Sequence, residues 1–235
     1  MLFYENLLKY IEGQREKLEV LRFANIPDRG LIIKVLLPDR NQDRAANLDT
    51  YSLTYEVEQI EIDCLGIKGE RHRRISRPST GREKLIYPKG TLIREHRHIV
   101  AVSPYDCKIL SDKLEVEVTP ELLGANLVIG REDGQDYSLS ALPEYSYLLI
   151  AEKENRELPK PPLATLRHYT LQQGCGITGN SISKNYDNKS LTQKFVVESK
   201  ENRGILCSVE HPAEKFAIIK AGQKVFFRFP MGITP

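Results

Sequence analysis

The sequence predicts a mixed, predominantly β fold: a closed or curled β-barrel with a few short flanking α-helices. Beyond residue 126 the apolar segments are short and separated by Gly, Pro, Asn and Asp, a pattern typical of short strands joined by turns. Few windows there show helical spacing. So many strands with so few helices favour an antiparallel sheet that curls on itself. The predicted strands lie in NLVIG, YSYLLIAE, ATLRHYTL, KFVVES, GILCSVE, FAIIKAG and KVFFRFP.

The first half of the chain contributes fewer elements. Apolar residues at helical spacing predict an amphipathic helix over residues 4–21. The β-branched run at 31–37 predicts a strand, the alternation at 52–62 a half-buried strand, and the segment 97–103 another strand. Ser103 is a candidate N-cap for a short helix that follows. Residues 1–30 therefore form a predicted helical extension, and residues 31–235 a predicted barrel domain.

Composition narrows the classes of function. The chain has 235 residues, 40% of them hydrophobic, enough to bury a core as one domain. Its 34 basic and 32 acidic residues give a formal charge of +2, so no overall field favours nucleic acid or a membrane surface. Charged residues interrupt the apolar N-terminus, which argues against a signal peptide or membrane span. We expect a cytoplasmic protein with reduced thiols, since its four cysteines include no CxxC pair.

One thiol stands out by its setting. Cys175 lies between two glycines in LQQGCGITGNSIS, which predicts a loop that leaves the sulfur approachable. The alternative is an inert loop thiol. Cys207 lies within an apolar run, which predicts a small buried core residue.

A glycine-flanked basic loop at 66–84 is a candidate anion site. Guanidinium groups and free backbone amides suit a phosphate or carboxylate, although a charge run can also simply face water. The cationic residues are Arg71, His72, Arg73, Arg74, Arg77 and Arg82.

Two further segments carry candidate ligands. In TLIREHRHIV, strand alternation would send Arg94, His96 and His98 to one face and Arg97 to the other. Two histidines spaced in this way could chelate a metal, but no further ligand stands at a fixed spacing. Asn126 follows a predicted turn, where its amide could donate to a ligand or cap the turn.

Taken in order, these segments resemble the MOSC family, named for the C-terminal domain of molybdenum-cofactor sulfurases. GIKGERH resembles the family's G-x-x-G-D-R-H loop, and YPKGTLIREHRHIVAVS the loop and strand after it. VTPELLGANLVIG resembles the P-x-x-L-G-x-N-L turn. RGILCSVE and IIKAGQKV resemble the closing strands, so the resemblance covers roughly residues 31–229. It implies a curled β-barrel with small flanking helices.

The resemblance also implies a cofactor and a site. Cys175 is the only cysteine between the G-x-N turn and the R-G strand, where family members carry one. Arg71, His72, Arg97 and Asn126 are then expected to bind a molybdenum cofactor. In one hypothesis Cys175 holds sulfur as a persulfide and delivers it to that cofactor or to a related anionic metal cofactor. In another, Cys175 ligates molybdenum in a reductase of N-hydroxylated compounds.

A third hypothesis is a non-catalytic barrel that binds an anion or a protein partner. It stays open because Gly174 replaces a proline, Glu70 an aspartate and Ala125 the glutamate of many members. No pyridoxal-phosphate lysine motif of a desulfurase is recognised, so the expected partners are a separate cysteine desulfurase or an electron-transfer protein. Neither nucleic acid nor a membrane is expected, and the oligomeric state is left open.

Overall fold

The computed structural model describes residues 29–38, 54–80, 83 and 85–230. The predicted helix at 4–21 lies outside these residues. The described part contains thirteen strands and four α-helices. The strands are β1 (Arg29–Pro38), β2 (Thr54–Val57), β3 (Gln59–Asp63), β4 (Gly66–Ile67), β5 (Ser76–Pro78), β6 (Leu92–Arg94), β7 (Ile99–Val102), β8 (Leu127–Gly130), β9 (Tyr147–Ala151), β10 (Ala164–Leu171), β11 (Ile205–His211), β12 (Ala217–Lys220) and β13 (Lys224–Arg228). The helices are α1 (Pro104–Leu114), α2 (Pro120–Leu123), α3 (Gly176–Asn185) and α4 (Ser190–Glu198).

Seven strands close into a barrel, so the predicted fold class is confirmed. Their order is β13, β9, β10, β11, β7, β8 and β1, and β1 returns to β13 through the pair Gly30 and Val225. The pair β7 and β8 is parallel, and the other neighbours in the ring are antiparallel. Closure leaves no exposed edge in the ring, which removes the unpaired backbone groups of an open sheet.

Two smaller sheets accompany the barrel. One consists of β12, β3 and β4, and the other is the pair β5 and β6. The 52–62 segment, predicted as one strand, is divided by a bend at Glu58 into β2, which pairs with β1, and β3, which pairs with β12. The apolar positions change phase at the bend, from Tyr55 and Val57 to Ile60 and Ile62, a signal that the single predicted strand overlooked.

The barrel strands bury apolar side chains in two separate layers. One layer fills the barrel interior and includes Ile32, Leu166 and Val209. The other lies between the barrel and the helices and includes Leu36 and Phe195. In β1 the adjacent residues Val35 and Leu36 face different layers, whereas a β-bulge between Ile32 and Lys34 keeps Ile32 and Val35 in the same one.

The start of α1 follows its sequence prediction. Ser103 Oγ accepts from the Asp106 backbone N–H at 3.1 Å, and the Asp106 carboxylate accepts from the Ser103 N–H at 3.1 Å. This reciprocal pair is a capping box and fixes the first turn.

The segment KFVVES, predicted as a strand, lies mostly in α4. Leu191 and Phe195, four residues apart, are buried on one helical face. A short β-branched run is compatible with either state, and here packing against neighbouring helices decided for the helix. Within the described ranges, none of the helices has the length and apolar content needed to span a bilayer.

Candidate functional site

Cys175 is the N-cap residue of α3. The predicted loop therefore ends at Cys175, and the helix begins at Gly176. Gly174 is required by close packing, because a Cβ there would lie 2.5 Å from Ser199 Oγ and 2.7 Å from Val196 O. At Gly176 a Cβ would meet no atom within 4 Å. The thiol is therefore half-buried, with packed backbone on one side and open space on the other.

Two side chains contact the sulfur. Sγ lies 3.3 Å from Thr178 Oγ1 and 3.6 Å from Arg203 Nη1. Arg203, only 5% exposed, also donates to Thr178 Oγ1 at 2.5 Å and to Gln173 O at 2.5 Å. Because Thr178 Oγ1 accepts from Arg203, its own hydrogen is available to the sulfur. The guanidinium also lies 5.5 Å from the centre of the Phe195 ring.

This environment lowers the pKa of the Cys175 thiol. Burial raises the pKa, but the positive charge of Arg203 and the hydrogen bonds of Thr178 and Arg203 together outweigh it. The start of a ten-residue helix adds a further preference for a negative charge. In contrast, burial raises the pKa of Cys107 to about 12 and also raises that of Cys207. Cys207 is fully buried, which confirms its predicted place in the core.

The basic loop folds around a buried carboxylate, Glu95. This side chain has no exposed surface and accepts from Arg97 Nε at 2.9 Å and from Arg74 Nε at 3.1 Å. His72 Nδ1 and Arg77 Nε each lie 3.3 Å from it. Burial raises the pKa of Glu95, but hydrogen bonds from His72 and Arg97 and the surrounding charge hold it well below its usual range.

Most of the predicted cations of the loop contact Glu95 or one another, whereas Arg73 pairs with Asp63 at 2.5 Å and Arg82 lies outside the described residues. Arg71 Nε lies 3.1 Å from His72 Nε2. Burial lowers the pKa of His72, which favours a neutral ring that donates from Nδ1 to Glu95 and accepts at Nε2 from Arg71. Sequence inspection missed Glu95, although a lone acid among Arg94, His96 and Arg97 is a visible signal.

Asn126 joins the strands of the barrel. Its Oδ1 accepts from the Val100 N–H at 2.9 Å, and its Nδ2 lies 3.4 Å from Leu36 O. The amide therefore binds backbone of β7 and β1 just before β8 begins. Its predicted contact with a cofactor stays a prediction.

The structure places Cys175 and the basic loop toward opposite ends of β11. Arg203, beside the thiol, precedes β11, whereas His98 at the basic loop accepts from the Val209 N–H at 3.1 Å. Six extended residues span about 20 Å. Arg71, His72 and Arg97 are thus not gathered around the thiol. The sequence analysis also missed Thr178 and Arg203, the latter being the arginine of the R-G motif.

The two histidines of the possible metal site point to different surroundings. His98 is buried against backbone, whereas the His96 ring stacks on Tyr169. The strand β6 ends at Arg94, so the alternation that placed them on one face does not continue. Among the described residues, no group of three or more His, Cys, Asp or Glu side chains is arranged to hold a metal ion.

Comparison with known proteins supports the fold. No family model and no curated protein matches the chain. The crystal structure of the YUAD protein from Bacillus subtilis matches 86% of this chain and 97% of its own, at 23% identity and a TM-score of 0.67. YiiM from Geobacillus stearothermophilus matches 85% and 75% of the two chains, at 9% identity and a TM-score of 0.47. The likeness to the YUAD structure shows a shared fold, a closed β-barrel with short flanking helices.

Proposed function

We propose that the protein is a sulfur carrier in which Cys175 accepts a sulfane sulfur and holds it as a persulfide. The position of Cys175 Sγ carries the proposal: it lies 3.6 Å from the buried guanidinium of Arg203, with a lowered pKa and open space at Gly176. The thiolate is the nucleophilic form of cysteine, and this cation favours it.

The loading step is a thiol–persulfide exchange. The Cys175 thiolate attacks the outer sulfur of a donor persulfide, a new S–S bond forms, and the donor's S–S bond breaks. The donor's inner sulfur leaves with the electron pair as a thiolate, so no external oxidant or reductant is needed. An acceptor thiolate that attacks the outer sulfur of the Cys175 persulfide completes the cycle and restores the Cys175 thiolate.

Arg203 and Thr178 stabilise the charge at the sulfur in this step. The guanidinium is held by bonds to Thr178 Oγ1 and Gln173 O, so it lies beside the thiolate before any donor arrives. A fixed cation of this kind needs little reorganisation when negative charge returns to Sγ as the sulfur leaves.

A molybdenum cofactor bound at once by the thiolate and the basic loop fits this arrangement poorly. Cys175 has the soft sulfur that suits molybdenum. However, Arg97 bonds to Glu95, and the basic loop lies toward the other end of β11 from Arg203 and the thiol. Binding of the cofactor remains a proposal from the family resemblance.

Sulfur loading tests the proposal. The protein is incubated with glutathione persulfide, desalted, and assayed for cyanide-releasable sulfur and for the mass of one added sulfur atom. We expect loading of the native protein and of Cys64→Ser, which removes another half-buried thiol, but not of Cys175→Ser. Equal loading of Cys175→Ser would contradict the proposal.

Metal analysis after expression in a host that makes the cofactor separates the other hypotheses. Stoichiometric molybdenum that is lost in Cys175→Ser, without sulfur loading, would favour the reductase. Absence of both bound molybdenum and loaded sulfur would favour a non-catalytic binding barrel.

A further inference from the structure

A second cluster of functional side chains lies on the outer face of the barrel, along β9 and β10. Tyr145, Tyr147 and Tyr169 are each 37–38% exposed. Arg167 lies among them, in register with Tyr147 on one side and Ser208 on the other. Large aromatic side chains around a cation on a strand surface are a combination that recurs where ligands bind.

Arg167 contacts two aromatic rings. Its guanidinium carbon lies 5.0 Å from the centre of the Tyr145 ring and 5.9 Å from that of Tyr147. Its Nε is buried without a hydrogen-bond acceptor among the described residues. The neighbouring carboxylate, Glu210, is instead bonded to Arg94 at 3.0 Å and to Ser208 at 2.6 Å. Arg167 therefore forms no salt bridge among the described residues, although its charge helps to lower the pKa of the neighbouring Glu210.

Tyr145 has an unfavourable backbone conformation that places its ring there. Its φ is +69°, in the left-handed region that bulky residues rarely adopt. The conformation is fixed by a 2.8 Å bond from the Tyr145 N–H to His168 O and another from the His168 N–H to Ser146 O. Strain of this kind accumulates at functional sites, and glycine would be the least strained residue at this position.

Tyr169 shows that this surface accepts a flat ring. The His96 imidazole stacks on it with the ring centres 4.2 Å apart and the planes 14° apart. Burial lowers the pKa of His96, and the charge of Arg94 lowers it further, so the neutral ring is favoured. A planar ring of a ligand could stack on a neighbouring tyrosine in the same way as His96 stacks on Tyr169.

We propose that Arg167, Tyr145 and Tyr147 form a binding site for a planar aromatic anion of the nucleoside monophosphate class. The base stacks on an exposed tyrosine face, and the phosphate accepts from the Arg167 guanidinium, which is the residue type best suited to bind it. The site is independent of the sulfur-carrier proposal, because none of its residues contacts Cys175 or Arg203 in the contacts described above.

Calorimetric titration of the full chain with AMP tests the proposal, with adenosine and inorganic phosphate as partial ligands. We expect AMP to bind at least about tenfold more tightly than either part, since ring and phosphate contacts combine. Arg167→Gln should weaken AMP binding by about tenfold or more, the loss of one charge-assisted contact. The matched control is Arg131→Gln, a surface arginine paired with Asp133.

A second variant separates binding from folding. Tyr145→Gly removes the ring but suits the left-handed backbone, so AMP binding should weaken while the melting temperature does not fall. Cys175→Ser should bind AMP like the native protein, which separates this site from the sulfur-carrier site.

Three results would overturn the proposal: no AMP binding at millimolar concentration, equal weakening by Arg167→Gln and Arg131→Gln, or phosphate binding as tight as AMP. A single-stranded oligonucleotide that binds where AMP does not would point to nucleic acid instead, and would also reject the small-ligand site.

Discussion

Glu95→Gln is the most informative single change outside the thiol. The carboxylate is fully buried and is surrounded by His72, Arg74, Arg77 and Arg97. Glutamine has nearly the same shape but no charge, so the variant leaves the three arginines without their buried counterion. Removal of one partner from a buried ion pair costs about 3–5 kcal/mol. We expect the free energy of unfolding to fall by about that amount at pH 7.

The pH dependence gives the prediction a sign. The pKa of Glu95 is lowered in the folded protein, whereas its unfolded value is about 4.3. Stability from the ionised carboxylate is thus fully present above about pH 4.3 and is lost as the pH falls toward the lower folded pKa. The native protein and Glu95→Gln should therefore differ by a constant amount from pH 8 to about pH 5 and converge in more acidic solution.

Urea unfolding, followed by circular dichroism between pH 3 and pH 8, measures the difference. The matched control is Glu117→Gln, whose side chain is exposed and should change stability by less than about 0.5 kcal/mol. A loss below about 1 kcal/mol for Glu95→Gln, or a difference that grows as the pH falls below 4, would refute the role of Glu95 as the buried counterion of the loop.

Three further changes test the thiol and the packing around it. Arg203→Met should raise the pKa of Cys175 and slow its alkylation by iodoacetamide at pH 7 by roughly tenfold, because a hydrogen bond to a charged group contributes about 1.5–3 kcal/mol; an unchanged rate would contradict the lowered pKa. Cys207→Ser buries a hydroxyl in the barrel interior and should lower stability by about 1–3 kcal/mol in urea unfolding, while a neutral effect would show that the site accepts a polar group. Gly174→Ala should cost about 1–3 kcal/mol by overpacking, whereas Gly176→Ala, which meets no neighbouring atom, should not; equal melting temperatures for the two variants would argue against the close packing at Gly174.

The lowered pKa of Cys175 links the fold to the proposed function. Its thiol begins α3, while Arg203 precedes β11, so the two residues meet only where α3 packs beside the start of that strand. The glycine at 174 allows the required approach to α4, which a side chain would block. The nucleophile is therefore assembled by packing of the helices on the barrel.

Local patterns were sufficient for most of the strands and for one helix start. Short apolar runs bounded by turn residues predicted β1 and the strands from β8 to β13, because such runs are typical of buried strands joined by turns. Ser103 predicted the start of α1 because a capping box involves only residues within one turn. The strand prediction for KFVVES was wrong because its few apolar residues are compatible with both the strand period and the helix period.

The sequence by itself determined most of the strand pattern and the buried Cys207, since each depends on neighbours along the chain. Only the tertiary structure decided which groups meet: Arg203 with the thiol, and three arginines and His72 with Glu95. It also separated the basic loop from Cys175, which sequence order could not show. Coulomb interactions and desolvation depend on distance and burial in space, and barrel closure sets both for residues far apart in the chain.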